Sequence, residues 1–209
     1  MNERVSGLIT IWAGMLGAAS GIFLAVVPPS VPESRFSYPL AAGGFIAIQV
    51  WFAIQHIGLF IGIQALARFS VGGASRLTRI GHWLAGAGML GLAVMEVVAI
   101  TAVDAAYPSP TTDPLDAGYG LTSIAIGVGL VLVGIGVLRE RRWTGWQRWV
   151  PMLLGVWVFV PMTPALMGPF VLARLAITAW MVLFAALGFA LIRMTASFES
   201  ERARKTAIA

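Results

Sequence analysis

Four ionisable residues, His56, His82, Glu96 and Arg174, stand inside long apolar stretches of this sequence. Placing such a group in hydrocarbon costs about 2.5–3.5 kcal/mol, so each one asks for a partner or a purpose. Glu96 and Arg174 carry opposite charge, and a bidentate pair between them would relieve two desolvation penalties together. The pair reads in two ways. It is either a structural clasp between two helices, or a polar site. In the site reading, Arg174 holds an anionic or carbonyl group and Glu96 serves as acid, base or proton carrier.

Further polar groups fall at similar depth. Gln49, Tyr119, Thr122 and Thr163 are candidate ligand-binding residues beside Glu96 and Arg174, with Thr101 and Ser123 nearby in sequence. His56 lies seven residues after Gln49 and shares its helix face. It is the second candidate catalytic residue if the protein is an enzyme; otherwise it fits an interhelical hydrogen bond to Gln55 or Gln64. His82 falls near the start of its apolar run, where a headgroup-level side chain is expected.

Several chemistries find no residues to carry them. There is no cysteine, hence no thiolate ligand, disulfide or cysteine nucleophile. The two histidines sit at different depths, roughly 18 Å and a few ångströms from the loop joining their helices, which argues against axial haem ligation. Two histidines and few other donors do not make a zinc site. The single lysine, Lys205, lies outside every apolar run, which removes an intramembrane Schiff base. No Gly-x-Ser-x-Gly elbow, His-Glu-x-x-His helix or Walker loop appears. No metal and no cofactor is expected from these residues.

The elements that must position the polar groups follow from composition. The chain of 209 residues is 58% hydrophobic and 11% charged, with a mean hydropathy of +0.86. A soluble domain carries about 25% charged residues, so lipid must solvate most of this one. A span needs about 20 apolar residues, and six runs qualify: 5–27, 40–67, 80–103, 117–138, 149–167 and 170–192. Pro28 and Pro29 stand where a signal peptidase would want small residues, so the first run reads as a retained helix. Pro161 and Pro164 predict a kink or break in the fifth.

Charge sets the direction. Arg68, Arg76 and Arg79 flank one connection, Arg139, Arg141, Arg142 and Arg148 another, and Arg193, Arg202, Arg204 and Lys205 follow the last run. The intervening loops carry Asp104, Asp113 and Asp116, or balance Glu33 against Arg35. The positive-inside rule then places both termini in the cytoplasm. The net charge of +5 is accounted for by these topology signals, and no basic stripe suggests nucleic acid. The expectation is an all-α polytopic helix bundle of six transmembrane helices in the plasma (inner) membrane. Residues 1–196 form that domain and 197–209 a polar, frayed cytoplasmic tail. Trp83, Trp143, Trp146 and Trp149 fit an interfacial belt. The many glycines, including Gly14, Gly17, Gly81, Gly88, Gly129 and Gly136, fit close helix packing. No internal repeat marks an inverted-repeat transporter.

Phe36-Ser-Tyr-Pro, Gln49-Val-Trp-Phe, Gln55-His-Ile-Gly-Leu, Val160-Pro-Met-Thr-Pro-Ala-Leu, Gly168-Pro-Phe and Arg174-Leu-Ala-Ile span most of the chain. Together they resemble the small multi-pass membrane proteins of actinobacteria. The resemblance implies six helices and supplies no catalytic residues. Membrane-embedded terpene cyclases also use intramembrane acids, but their acidic motifs are not recognisable in this sequence.

Three functions fit. The first is binding of a membrane lipid or other lipophilic small molecule in an outward-facing intramembrane pocket, in a transport-accessory role. The second is acid–base catalysis, an isomerase or cyclase, on a lipophilic substrate with Glu96 and His56. The third is a helix-packing subunit of a membrane complex or homo-oligomer, with the ion pair as glue.

Overall fold

The computed structural model describes the backbone of residues 2–68 and 71–206, with side chains in those ranges apart from residues 3 and 195–206. In hydrocarbon a backbone must satisfy its own hydrogen bonds, and the apolar runs do so as helices. These are α1 (Glu3–Val26), α2 (Ala42–Arg68), α3 (Arg76–Ala99), α4 (Asp113–Glu140), α5 (Val150–Trp157), α6 (Thr163–Leu166) and α7 (Phe170–Thr206). Six of the resulting segments are long and apolar enough to cross a membrane, and their ends fall within four residues of the expected ones. The fifth combines α5 and α6. No strand occurs among the described residues. The helical backbone of α7 runs through Thr206, so the polar segment expected to fray continues the last helix; residues 207–209 lie outside the described residues.

Helix ends follow local chemistry. Asn2 caps α1 by accepting from the Val5 N–H, and Ser75 caps α3 by accepting from the Thr78 N–H. Asp113, Pro114 and Asp116 open α4, where negative charge and a missing N–H suit a helix start. Arg141 ends α4 in the left-handed conformation, with φ 53°.

The spans pack in a ring in chain order. Each touches its neighbour in sequence, and α7 closes the ring against α1. Helix α2 also reaches α7 across the ring, whereas α3 and α7 do not approach each other. Gly7 of α1 faces Gly188 and Ile192 of α7, while Gly21 faces Thr178 and Arg174. The two helices are therefore antiparallel, and the start of α1 lies at the same end of the bundle as the later part of α7. That end also holds the α2–α3 and α4–α5 connections with their arginines, and we call it the basic end. Leu59, Ile63, Met89, Ile126, Leu130, Leu154, Phe184 and Leu187 fill the interior. A second apolar cluster, Leu24, Leu40, Phe45 and Ala99, lies toward the opposite end.

Loops cover that opposite end. Phe36 N–H donates to the Ala105 carbonyl at 3.1 Å and Tyr107 N–H to the Ser34 carbonyl at 2.8 Å. Arg35 pairs with Asp104 at 3.7 Å. Tyr38 meets the Phe170 ring edge-on at 4.9 Å, which ties this cap to the start of α7.

The fifth span breaks where proline requires it. Pro161 has no N–H to give, and the helix widens to a π turn over Val158–Met162. The Thr163 hydroxyl donates to the Val158 carbonyl at 2.6 Å. Just before the break, Trp157 donates to the Ala176 carbonyl at 2.9 Å and Trp180 to the Leu154 carbonyl at 3.0 Å. These two indoles fasten α5 and α7 reciprocally. Trp83, Trp146 and Trp149 are exposed, as a belt requires, but Trp143 is not. The turn after Arg141 folds Trp143 inward, and its indole donates to Met194 Sδ at 3.0 Å.

Helix spacing depends on residues without side chains. A Cβ on Gly14 would stand 2.6 Å from backbone atoms of Ala185 and Met181. Gly14→Leu is expected to cost roughly 1–3 kcal/mol or more by forcing α1 off α7. A methyl group on Gly120 would meet nothing within 4 Å, so Gly120→Ala should be neutral or slightly stabilising. Thermal unfolding in detergent, followed by circular dichroism, checks both; equal midpoints for the two variants would contradict this packing.

Candidate functional site

Glu96 sits on α3 with 6% of its surface exposed, deep enough that the chain itself must supply its donors. Tyr119 of α4 supplies one: its hydroxyl donates to Glu96 Oε2 at 2.8 Å. Gln49 of α2 supports that hydroxyl, donating to it at 3.1 Å and to the Glu96 backbone carbonyl at 3.4 Å. On the other carboxylate oxygen, His56 Nδ1 of α2 lies 3.6 Å from Oε1. That nitrogen is sealed from solvent and lacks a well-formed hydrogen bond. Three consecutive helices thus converge on one carboxylate. Tyr119 also packs against both apolar clusters, so the network lies between them.

Backbone direction explains why His56 reaches Glu96. Counted along their helices, His56 lies deeper than Glu96 from the capped end. Helical side chains lean toward the N-terminus of their own helix. In the antiparallel pair α2–α3, His56 therefore leans toward the cap and Glu96 toward the basic end, and the two meet midway. The hydrogen bonds expected for His56 from Gln55 or Gln64 are not formed. Gln55 points to the other side of α2 and donates to Met181 Sδ at 2.8 Å.

The direct Glu96–Arg174 pair is not formed either. No described acidic group lies within 4.0 Å of the Arg174 guanidinium. The ring order gives the reason: α3 and α7 are not neighbours. Arg174 is near enough for its charge to act on Glu96 and Tyr119, but its closest defined partner is the face of Phe170, 4.7 Å from the guanidinium carbon. Its Nε is sealed and makes no hydrogen bond. Polarity and charge do not single out Phe170 in the sequence, although its position four residues before Arg174 places it on the same helix face. Tyr38, on the cap, covers the edge of that same ring.

The remaining candidates stay apart from this network. The Thr122 hydroxyl donates to the Gly118 and Tyr119 carbonyls of its own helix, and its methyl packs toward Gly91. Thr163 is exposed and commits its hydroxyl to the π turn. Thr101 is exposed and bonds the Val98 carbonyl. His82 is buried at the basic end. Among the described residues no three metal-ligating side chains cluster. On the cap, partial burial, and then the charge of Asp116, push the Tyr107 hydroxyl above its usual pKa.

Chemically, the arrangement offers a carboxyl group whose two oxygens face two different protic groups, a phenol and an imidazole. It also offers a guanidinium without a hydrogen-bonded anion one helix away. Removing the phenol should be costly. Tyr119→Phe removes the donor to Glu96 Oε2 and one of the two acceptors of Gln49, and is expected to lose about 1–3 kcal/mol of stability. Thr101→Val, which removes a hydroxyl from an exposed position, should change little. Unfolding midpoints of the two variants measured side by side decide the point, and an undiminished midpoint for Tyr119→Phe would show the network to be energetically idle. In comparison with known proteins, the chain matches no family model, no curated protein and no solved structure.

Proposed function

We propose that this multi-pass membrane protein binds a lipid or other apolar small molecule between its helices, at the level of Arg174 and the Glu96 network. The observation that carries this reading is Arg174. A guanidinium in a membrane span is retained only where something answers its charge, and here Tyr119 already serves Glu96, leaving Arg174 against the face of Phe170 with no hydrogen-bonded anion among the described residues. A carboxylate, phosphate or carbonyl at the head of a lipophilic molecule would supply the missing acceptor, with its tail among the apolar side chains of the bundle. The cap loops, through Tyr38 and Phe170, lie beside this position. We assign the basic end to the cytoplasm of a cell whose plasma (inner) membrane holds the protein, which turns the cap outward.

Binding is tested with cis-parinarate, a fluorescent fatty acid, titrated onto the purified protein. Arg174→Gln is expected to weaken binding about ten- to a hundred-fold, the worth of one hydrogen bond to a charged group. Arg174→Lys should recover part of the loss. Equal affinity in all three proteins would refute the assignment.

A second reading, acid–base catalysis on a lipophilic substrate, is favoured by one specific feature, the contact of His56 and Tyr119 with opposite oxygens of Glu96. In that case Glu96→Gln abolishes turnover of an isoprenoid or lipid substrate while parinarate affinity stays within about twofold.

Orientation is checked separately. The chain has no cysteine, so Glu33→Cys on the cap and Thr144→Cys at the basic end each provide a single thiol. A membrane-impermeant maleimide should label the first in intact cells and the second only after lysis. The reverse pattern would invert the topology.

A further inference from the structure

A cleft of about 440 Å³ opens at the basic end between the close of α2 and the start of α3. Gln64, Arg79, His82 and Trp83 line it together with the backbone around Gly73. Gly73 turns in the left-handed region, with φ 75°. Gly86 leaves room for the Gln64 amide: a Cβ there would stand 2.8 Å from Gln64 Nε2.

The lining offers donors and one fixed positive charge. Arg79 is exposed and unpaired among the described residues. His82 is 9% exposed, and its Nδ1 is sealed without a hydrogen bond. With Nδ1 closed off, Nε2 is the nitrogen left to face the cleft, and a proton on it makes a donor. No lining residue is acidic. The carboxylate of Glu140 stands beside Gly73 and has Arg142 at 3.9 Å. Arg68 and Arg76, at the adjoining helix ends, add to the positive field. Trp83 is 76% exposed at the lip, the placement of an indole at headgroup depth.

We infer that this cleft is a binding site for a phosphoryl group, with Arg79 as its charge partner and His82 and Gln64 as hydrogen-bond donors. Phosphate matches a cluster of donors and positive charge, with no carboxylate in the lining, better than a neutral or cationic head does. The exposed indole makes an anionic glycerophospholipid the favoured carrier. The site is separate from the Glu96 network, at the opposite end of the α2–α3 seam, and does not rest on the function proposed for that network.

The test uses the whole protein reconstituted in nanodiscs of phosphatidylcholine with about three tenths phosphatidylglycerol, followed by native mass spectrometry of retained lipid. Wild type should retain phosphatidylglycerol over phosphatidylcholine about fivefold or more beyond their input ratio, and Arg79→Gln and His82→Gln should each lower that preference at least about threefold. Circular dichroism monitors folding, and Arg79, being exposed, provides the variant least prone to misfolding. A parallel arm follows thermal stability in inorganic phosphate against chloride at equal ionic strength. Stabilisation by phosphate that Arg79→Gln removes, without lipid preference, assigns the site to soluble phosphate and upholds the phosphoryl site. Absence of both effects in wild type, or identical lipid and phosphate behaviour in wild type and Arg79→Gln, overturns it.

Discussion

A carboxylate surrounded by hydrocarbon has to be met by donors from its own chain, because no water reaches it to do the same work. Glu96 meets that requirement through Tyr119, which Gln49 steadies in turn, and through the nearness of His56. The network draws on α2, α3 and α4 together, so it fixes the rotation of each of these helices about its axis. Turning α4 by one residue would carry Tyr119 away by about 100° and leave the carboxylate without its donor. The apolar packing on either side of the network has no comparable directionality. Buried polar contacts of this kind therefore set the register, while the small residues set the distance.

Distance is the second constraint. Between helices in lipid there is little hydrophobic drive, and association depends on close van der Waals contact. Gly14 against Ala185, Gly81 against Gly129 and Gly155 against Gly127 bring backbones together at three of the six interfaces of the ring. Such close pairs form between helices adjacent in the chain, or between the first and the last. The resulting order keeps α3 away from α7, and this separation leaves Arg174 without its expected carboxylate. The packing of the whole bundle thus determines the electrostatics of one side chain.

The seam between α2 and α3 carries polar residues at both ends with Leu59, Ile63 and Met89 filling the interior between them. Toward the cap it holds Gln49, His56 and Glu96; at the basic end it holds Gln64, Arg79 and His82. The two groups differ in physical character. The first is closed around an acid, and the second opens to the surface around cationic and donor groups. One helix pair therefore carries two distinct chemistries, one toward each end of the bundle.

Much of this protein was legible from composition and spacing. Hydropathy located six spans within four residues of their ends, because a helix in lipid has to be apolar along its whole crossing. Proline marked the break in the fifth span, since a missing N–H acts locally. Cost of burial picked out His56, His82, Glu96 and Arg174 as the residues to explain, and similar depth added Gln49, Tyr119, Thr122 and Thr163. Which of them meet was not legible. Trp143 turned inward, Thr163 served its own helix, and His56 reached Glu96 by the opposed lean of side chains on antiparallel helices. Arg174 stood apart because α7 closes on α1 and not on α3. Sequence determines which groups cannot tolerate lipid, for that is a property of each residue in its solvent; only the tertiary structure decides their partners, because pairing depends on helix order and rotation, which arise from contacts distant in the chain.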